Sequence, residues 1–394
     1  MKKTVRELYE QMLEQNLKNG QKEMKDYDPF HLGCLLNPSG EASYLNADAA
    51  QKAAYEKAAT DSSKLDTLQE GTIASKDALA VVEAVRNKAN EVYAMIAPAI
   101  SGQFDGVTSP GKIRSSLKAI GFKGMLEVAA FADILTLKEA LEFDHNIQDD
   151  HDFQLSSCCC PMWISMVRKE CPELFDAMPA SVSPMVAAGR VVKQLHPKAL
   201  TVFIGPCMAK KKEAKEVDIA DAADFVLTFK ELKEIFSAVG INPADMPDDD
   251  KEHASGAGII YARAGGVSEA VEMTVKQLNP EREIPFKAAT ANGAKECKTL
   301  LAELKAGNVK ANFYEGMGCV GGCVGGPRNI LDKEAGKEFV NRYSQQVAYR
   351  TPLDNPYILE MLSELGYETI YDFIEKSTFL TRDFSISDAT IARP

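Results

Sequence analysis

Leu200-Thr201-Val202-Phe203-Ile204-Gly205 runs straight into Pro206-Cys207-Met208-Ala209-Lys210-Lys211-Lys212-Glu213. The first six residues have the apolar, β-branched texture of a buried strand, and Gly205-Pro206 ends it. A cysteine and three lysines follow at the strand's carboxyl end. Similar units lie on both sides. Met125-Leu126-Glu127-Val128 reads as a strand after Gly121-Phe122-Lys123-Gly124, with a helix from Ala132 to Phe143 behind it. Asp224-Phe225-Val226-Leu227 reads as a strand before a helix from Phe229 to Val239. Ala311-Asn312-Phe313-Tyr314-Glu315 reads as a strand entering a glycine-rich loop. Strands alternating with helices imply an α/β fold with mostly parallel pairing. Function in such sheets belongs to the loops at strand carboxyl ends.

Toward the N terminus, Val5-Leu8-Met12, Ala49-Ala50-Ala53-Ala54 and the stretch from Asp77 to Ile96 keep helical spacing. Pro29 to Asn46 is a loop, and Ser109-Pro110-Gly111 is a turn. Residues 1–91 are therefore expected to form a mainly helical extension, and residues 92–394 the α/β unit. The acidic stretch Pro247-Asp248-Asp249-Asp250-Lys251-Glu252 is expected as a solvated loop.

The 394 residues include 57 acidic and 45 basic side chains, a net charge of -12. That balance removes the main electrostatic driver of nucleic-acid binding. A hydrophobic content of 45% supports a sizeable core and excludes a wholly disordered chain. No apolar run approaches the roughly 18 residues a membrane span needs. Met1-Lys2-Lys3 is not followed by an apolar stretch, so a secretory signal is not expected. The expected setting is the cytoplasm, where thiols stay reduced, and nine cysteines there ask for a metal or redox explanation.

Six of the nine cysteines fall in three motifs. They are Ser156-Ser157-Cys158-Cys159-Cys160-Pro161-Met162-Trp163, the Cys207 segment above, and Glu315-Gly316-Met317-Gly318-Cys319-Val320-Gly321-Gly322-Cys323-Val324-Gly325-Gly326-Pro327. In the last, glycines let backbone wrap closely around a bulky inorganic group, and their N–H groups can bond to cluster sulfurs. Zinc is the rival ligand, but its sites have no need of such glycine density. Beside three lysines, Cys207 is placed to be a thiolate. Cys34, Cys171 and Cys297 read as small buried hydrophobes.

Together the three motifs resemble those of the FeFe-hydrogenases, whose signatures are Thr-Ser-Cys-Cys-Pro-x-Trp, Pro-Cys-x-x-Lys-x-x-Glu and Glu-x-Met-x-Cys-x-x-Gly-Cys-x-x-Gly-Gly. Ala97-Pro98-Ala99, Ala132-Asp133 to Glu142, Ser255-Gly256-Ala257-Gly258, Gly265-Gly266-Val267-Ser268-Glu269-Ala270 and Asn355-Pro356 extend the likeness over about residues 92–366. The resemblance implies two lobes of mostly parallel twisted sheets flanked by helices, with the active site between them. It implies an H-cluster: a 4Fe-4S cluster joined to a two-iron subcluster that carries CO, cyanide and azadithiolate. Cys160, Cys207, Cys319 and Cys323 match the four metal ligands, and Cys323 the one that also bridges to the two-iron unit. Cys159 matches the cysteine that passes protons to the azadithiolate amine, while Glu213 and Glu142 match carboxylates of the proton path. Lys210 matches a cyanide-bonding lysine and Met317 a methionine packed on the two-iron unit. Pro98, Ala99, Ser183 and Pro206 fall at further cofactor-binding positions.

The departures lie around the ligands. Ser157-Cys158 replaces Thr-Ser, Gly205 replaces a methionine, and Met185 stands where a glutamine is common. Pro179 takes the place of a serine of the proton path and Asn146 that of its surface arginine. Gly325-Gly326-Pro327-Arg328 is one glycine short. Such changes act on potential, rate and proton route. Residues before Cys158 include only Cys34 as a cysteine, so no accessory cluster is expected there. The resemblance then implies reversible hydrogen chemistry, with electrons exchanged directly with a ferredoxin or flavodoxin. Lys210, Lys211, Lys212 and Arg328 are candidates for a basic docking patch. Maturation proteins would build the two-iron unit. The alternatives are a low-turnover hydrogen sensor that signals through a partner, as in divergent branches of the family, or a non-catalytic iron–sulfur protein.

Overall fold

The computed structural model describes residues 65, 68, 71–106, 109–156, 159–249, 254–369, 371–373 and 380–384. The expectations for residues 1–64, Cys34 included, and for Ser157 and Cys158 lie outside the described residues.

In chain order the fold begins with α1 (Lys76–Arg86), β1 (Val92–Ile96), α2 (Pro110–Ala119), β2 (Gly124–Glu127), α3 (Val128–Asn146), β3 (Gln154–Leu155), α4 (Pro161–Glu170), α5 (Pro184–Leu195) and β4 (Leu200–Gly205). It continues with α6 (Ala209–Glu213), β5 (Phe225–Thr228), α7 (Phe229–Ala238), α8 (Gly256–Ile260), α9 (Gly266–Leu278), β6 (Ala288–Asn292), α10 (Ala294–Lys305), β7 (Phe313–Met317), α11 (Lys333–Gln346) and α12 (Pro356–Glu364). One sheet has the order β2-β1-β4-β5 and the other β3-β7-β6, and every pairing is parallel. The α/β expectation therefore holds.

In the larger sheet the chain leaves β1 for β2 on one side and later returns to β4 on the other. The loops after β1 and β4 thus diverge around a crevice at the strands' carboxyl ends, where such sheets bind ligands. In the smaller sheet the loops after β3 and β7 are likewise neighbours. Local signals set several boundaries. Thr228 and Glu231 form a reciprocal capping box that starts α7. Ser109, expected in a turn, caps α2 with Pro110 in the first helical turn.

Three expectations need correction. Asp77 to Ile96 is not one helix: α1 stops at Arg86, and Val92–Ile96 is β1, buried along its whole length between β2 and β4. A strand buried on both faces loses its alternation, so its apolar run also fits a helical period. Val128 opens α3 and does not end β2. The acidic stretch is not simply solvated: Asp249 is buried and its carbonyl accepts from Arg114 Nη1 at 2.6 Å. Arg114 also pairs with buried Glu127 at 3.0 Å, so this loop closes over an internal ion pair.

Candidate metal centre

Each described motif cysteine follows the carboxyl end of a parallel strand. Cys207 lies between β4 and α6, Cys160 is the residue before α4, and Cys319 and Cys323 lie in the loop after β7. That loop doubles back because Gly321 and Gly322 take φ values of 92° and 80°, a region that favours glycine. Gly318 N–H donates to Cys160 Sγ at 3.3 Å, which joins the β3 and β7 loops. Arg328 N–H donates to the Pro206 carbonyl at 3.3 Å, which joins the β7 loop to the β4 loop of the other sheet.

Missing side chains make this approach possible. A Cβ on Gly316 would fall 2.1 Å from the Trp163 ring, and one on Gly322 would fall 2.5 Å from Ala264 N. Ala264 N–H and Val324 N–H complete the contact by donating to the carbonyls of Gly321 and Ala262. Gly205 follows the same logic. A Cβ there would lie 2.8 Å from the Phe203 ring and 3.1 Å from Ala97, so the family's methionine does not fit here unless Phe203 moves.

All the described cysteines are free thiols. Burial pushes the Cys323 thiol well above its ordinary value, and Cys159, Cys207, Cys160 and Cys319 push it further. Those causes put the five thiols within electrostatic reach of one another. Burial raises the Cys160 thiol to about 12, with Cys159 and Cys207 adding to it, and burial plus Cys207 raise Cys319. These sulfurs keep their protons unless cations balance them, which iron does on binding. No three His, Cys, Asp or Glu side chains among the described residues converge tightly enough for a single ion.

Lys210 completes the donor set. It is buried on α6, with Nζ 2.6 Å from Glu213 Oε2, yet neither group makes a well-angled hydrogen bond. Burial alone would lower the ammonium's pKa, but Glu213, Cys207 and Cys159 hold it above its ordinary value. A buried cation with donors to spare, beside a ring of thiols, fits a group with anionic or strongly dipolar ligands. Met317, Pro206 and Ala99 are buried, and Pro98 is half-buried in the turn after β1. Ala97 N–H donates to the Ile204 carbonyl at 2.9 Å, so Pro98, Ala99 and Pro206 border one crevice. Ser183 caps α5, its Oγ accepting from Val186 N–H. Lys211, a candidate for the docking patch, is ion-paired with Asp77 and Glu231, while Lys212 and Arg328 are exposed.

Two supporting residues, Gln103 and Asn329, went unread in the sequence, and Glu315, quoted at the head of the third motif, was given no role there. Asn329 Nδ2 donates to the carbonyls of Cys323, Val324 and Gly326 at 2.7, 2.8 and 3.1 Å. Buried Gln103 donates to Asn329 Oδ1 at 3.0 Å and accepts from Ile330 N–H at 2.7 Å. This amide pair fixes the exit of the cysteine loop, and two isolated polar residues far apart in sequence gave no signal of it. Glu315 accepts from Gly265 N–H, Ser268 N–H and Ser268 Oγ at 2.7–2.8 Å, which ties β7 to the start of α9.

Comparison with known proteins was made against this geometry. Residues 90–327, more than half of the chain, match the family model described as "Iron only hydrogenase large subunit, C-terminal domain". The chain belongs to that family. Among its relatives, iron hydrogenase 1 of Clostridium pasteurianum is 29% identical over 286 residues, which cover 62% of this chain and 50% of the relative. The NADP-reducing hydrogenase subunit HndD of Solidesulfovibrio fructosivorans is 26% identical over 339 residues, 71% of this chain and 58% of the relative. The chain thus spans little more than half the length of these relatives. In three dimensions it is similar to the [FeFe]-hydrogenase HydA1 from Chlamydomonas reinhardtii, with a TM-score of 0.63 and 22% identity over 78% of this chain and 97% of that one. This likeness supports the fold.

In this iron-only hydrogenase domain the two expected proton-path carboxylates pair with different lysines. Glu213 pairs with Lys210 beside the thiols, and Glu142 pairs with Lys138 near the surface. Glu142 lines a cleft of about 560 Å³ with Asn146, His151, Asp152, Asp176 and Pro179. Burial raises the Glu142 carboxyl above its ordinary value, against the pull of Lys138.

Proposed function

We propose that this chain catalyses the reversible reduction of two protons by two electrons to molecular hydrogen, on an H-cluster held between its two sheets. The observation that carries the reading is the gathering of Cys159, Cys160, Cys207, Cys319 and Cys323 beside the buried ammonium of Lys210. In this reading Cys160, Cys207, Cys319 and Cys323 would hold the H-cluster, which when bound would supply the redox centre and a proton acceptor. Lys210, its charge held by Glu213, would donate to an anionic ligand of that group. Met317, Pro98, Ala99 and Pro206 shape the crevice and exclude water. Cys159 would hold or pass a proton at its Sγ, a task open to a thiol in a dry site. Glu142 takes up protons from the cleft.

Electrons come from a separate carrier such as a ferredoxin, in a cytoplasmic setting, and maturation proteins supply the two-iron unit. No described helix is long and apolar enough to cross a membrane. The test is infrared spectroscopy on protein reconstituted with iron and sulfide, then treated with a synthetic two-iron azadithiolate complex. Sharp CO and cyanide bands that shift under hydrogen, together with turnover, are expected. Bands with tight hydrogen binding and negligible turnover would instead identify a hydrogen sensor. A normal iron–sulfur content without those bands would identify a non-catalytic iron–sulfur protein.

A further inference from the structure

Lys138 carries a charge on one of the most deeply buried helices of the fold. It is 2% exposed on α3, its Nζ donates to Ser181 Oγ at 3.0 Å, and it pairs with Glu142 one turn along the helix. Ser181 is fully buried and held by backbone on both sides. Its N–H donates to the Pro179 carbonyl at 2.8 Å, Val182 N–H donates to Leu380 O, and Arg382 N–H donates to Ala180 O. A buried ammonium is costly unless a partner offsets it, so one held this firmly sets the charge of its partner. That partner is Glu142, which lines the cleft beside Asn146 and Pro179 and whose Oε2 makes no hydrogen bond within the chain.

We propose that Lys138, anchored by Ser181, is a positioning residue that holds Glu142 ionised in the wall of the cleft as the point of proton entry, in place of the hydroxyl that Pro179 cannot supply. The proposal rests on the proton-handling reading above but concerns only the chain's own side chains. The cleft also presents Asp152, Glu173 and Asp176, whose carboxylates oppose ionisation of Glu142, together with His151. Asp144, on the same helix, is engaged by Arg282. Among the described residues Lys138 is the cation paired with Glu142. The proton balance is simple. Glu142 takes up one proton from the cleft when it is protonated and gives it up when it ionises, Lys138 stays an ammonium throughout, and the pair alternates between zero and one positive charge.

The test is a pH-difference infrared titration of the metal-free protein, with the Glu142 carboxyl band assigned by its loss in Glu142→Gln. Lys138→Met, which removes the charge at similar length, is expected to move that titration upward by about one pH unit or more. Lys138→Arg, which keeps a charge that does not titrate, is expected to bring it back, and Ser181→Ala to move it upward by less. After loading with the cluster, Lys138→Met is expected to slow hydrogen evolution at neutral pH by about tenfold or more, with Lys138→Arg restoring most of it. An unmoved band in Lys138→Met overturns the proposal, and so does a band that Lys138→Arg leaves as displaced as Lys138→Met. Loaded wild-type protein that evolves no hydrogen while the band still shifts in Lys138→Met would retire the hydrogenase reading and leave the charge-holding role of Lys138 supported.

Discussion

Around the motif cysteines much of the close packing is backbone: the N–H of Gly318, the carbonyl of Pro206, the peptide units of residues 262–264 and the faces of Gly316 and Gly322. Around Glu142 the neighbours are side chains: Lys138 and Asn146 one turn away on the same helix, and Asp152 and Asp176 from segments further along the chain. In the proposed reading the first region answers a covalent requirement, since thiolates would have to meet irons at fixed lengths and glycine lets the chain come close. The second would need only a charge and a route, which side chains of several kinds can supply.

The sharpest way to break this comparison is to mutate neighbours in the ring. Cys160→Ala is expected to abolish assembly of the iron–sulfur cluster, measured as iron and acid-labile sulfide per chain after reconstitution. Cys159→Ala is expected to keep the iron and lose the turnover. Equal iron loss in both would mean that the two adjacent cysteines do not divide the work. A smaller effect is expected of Gly316→Ala. Its new Cβ would sit 2.1 Å from the Trp163 ring, so the variant is expected to lose about 1–3 kcal/mol of stability, seen as a lower Tm of the metal-free protein. An unchanged Tm would show that Trp163 gives way and that glycine is not required there.

A further effect concerns pH. Asp133, buried near the start of α3, accepts hydrogen bonds from Ser255 and Asn355, yet burial lifts its carboxyl from 3.8 to about 7. The folded chain thus keeps a proton that the unfolded chain releases near pH 4. That stabilising contribution is full below the lower value and is lost as pH rises toward 7. Asp133→Asn is expected to flatten the fall of Tm across that window. An identical slope would place the titration elsewhere.

The sequence was most legible where chemistry restricts the residue type. The cysteine motifs could be read because no core-packing pattern puts three cysteines before a proline or two inside a glycine loop. β4 and β7 could be read because each ends at a turn or glycine loop. β1 was lost because burial on both faces erased its alternation, and β3 is only two residues long. Asn329 with Gln103, and Lys138 with Ser181, were invisible for another reason. Each bond joins residues between 43 and 226 positions apart, and neither partner is unusual alone. Glu213 and Glu142 were expected on one route because both fit family positions. In the structure they pair with different lysines, Lys210 beside the thiols and Lys138 at the cleft.

Trp163 is the chain's one tryptophan, it is 1% exposed, and it lies against the backbone of Gly316 three positions after Cys160. In the proposed reading an iron–sulfur cluster on that cysteine would absorb where indole emits and drain its excited state. The one tryptophan would then serve as an optical gauge: fluorescence bright without iron and dark with it seated, readable during assembly without any added dye.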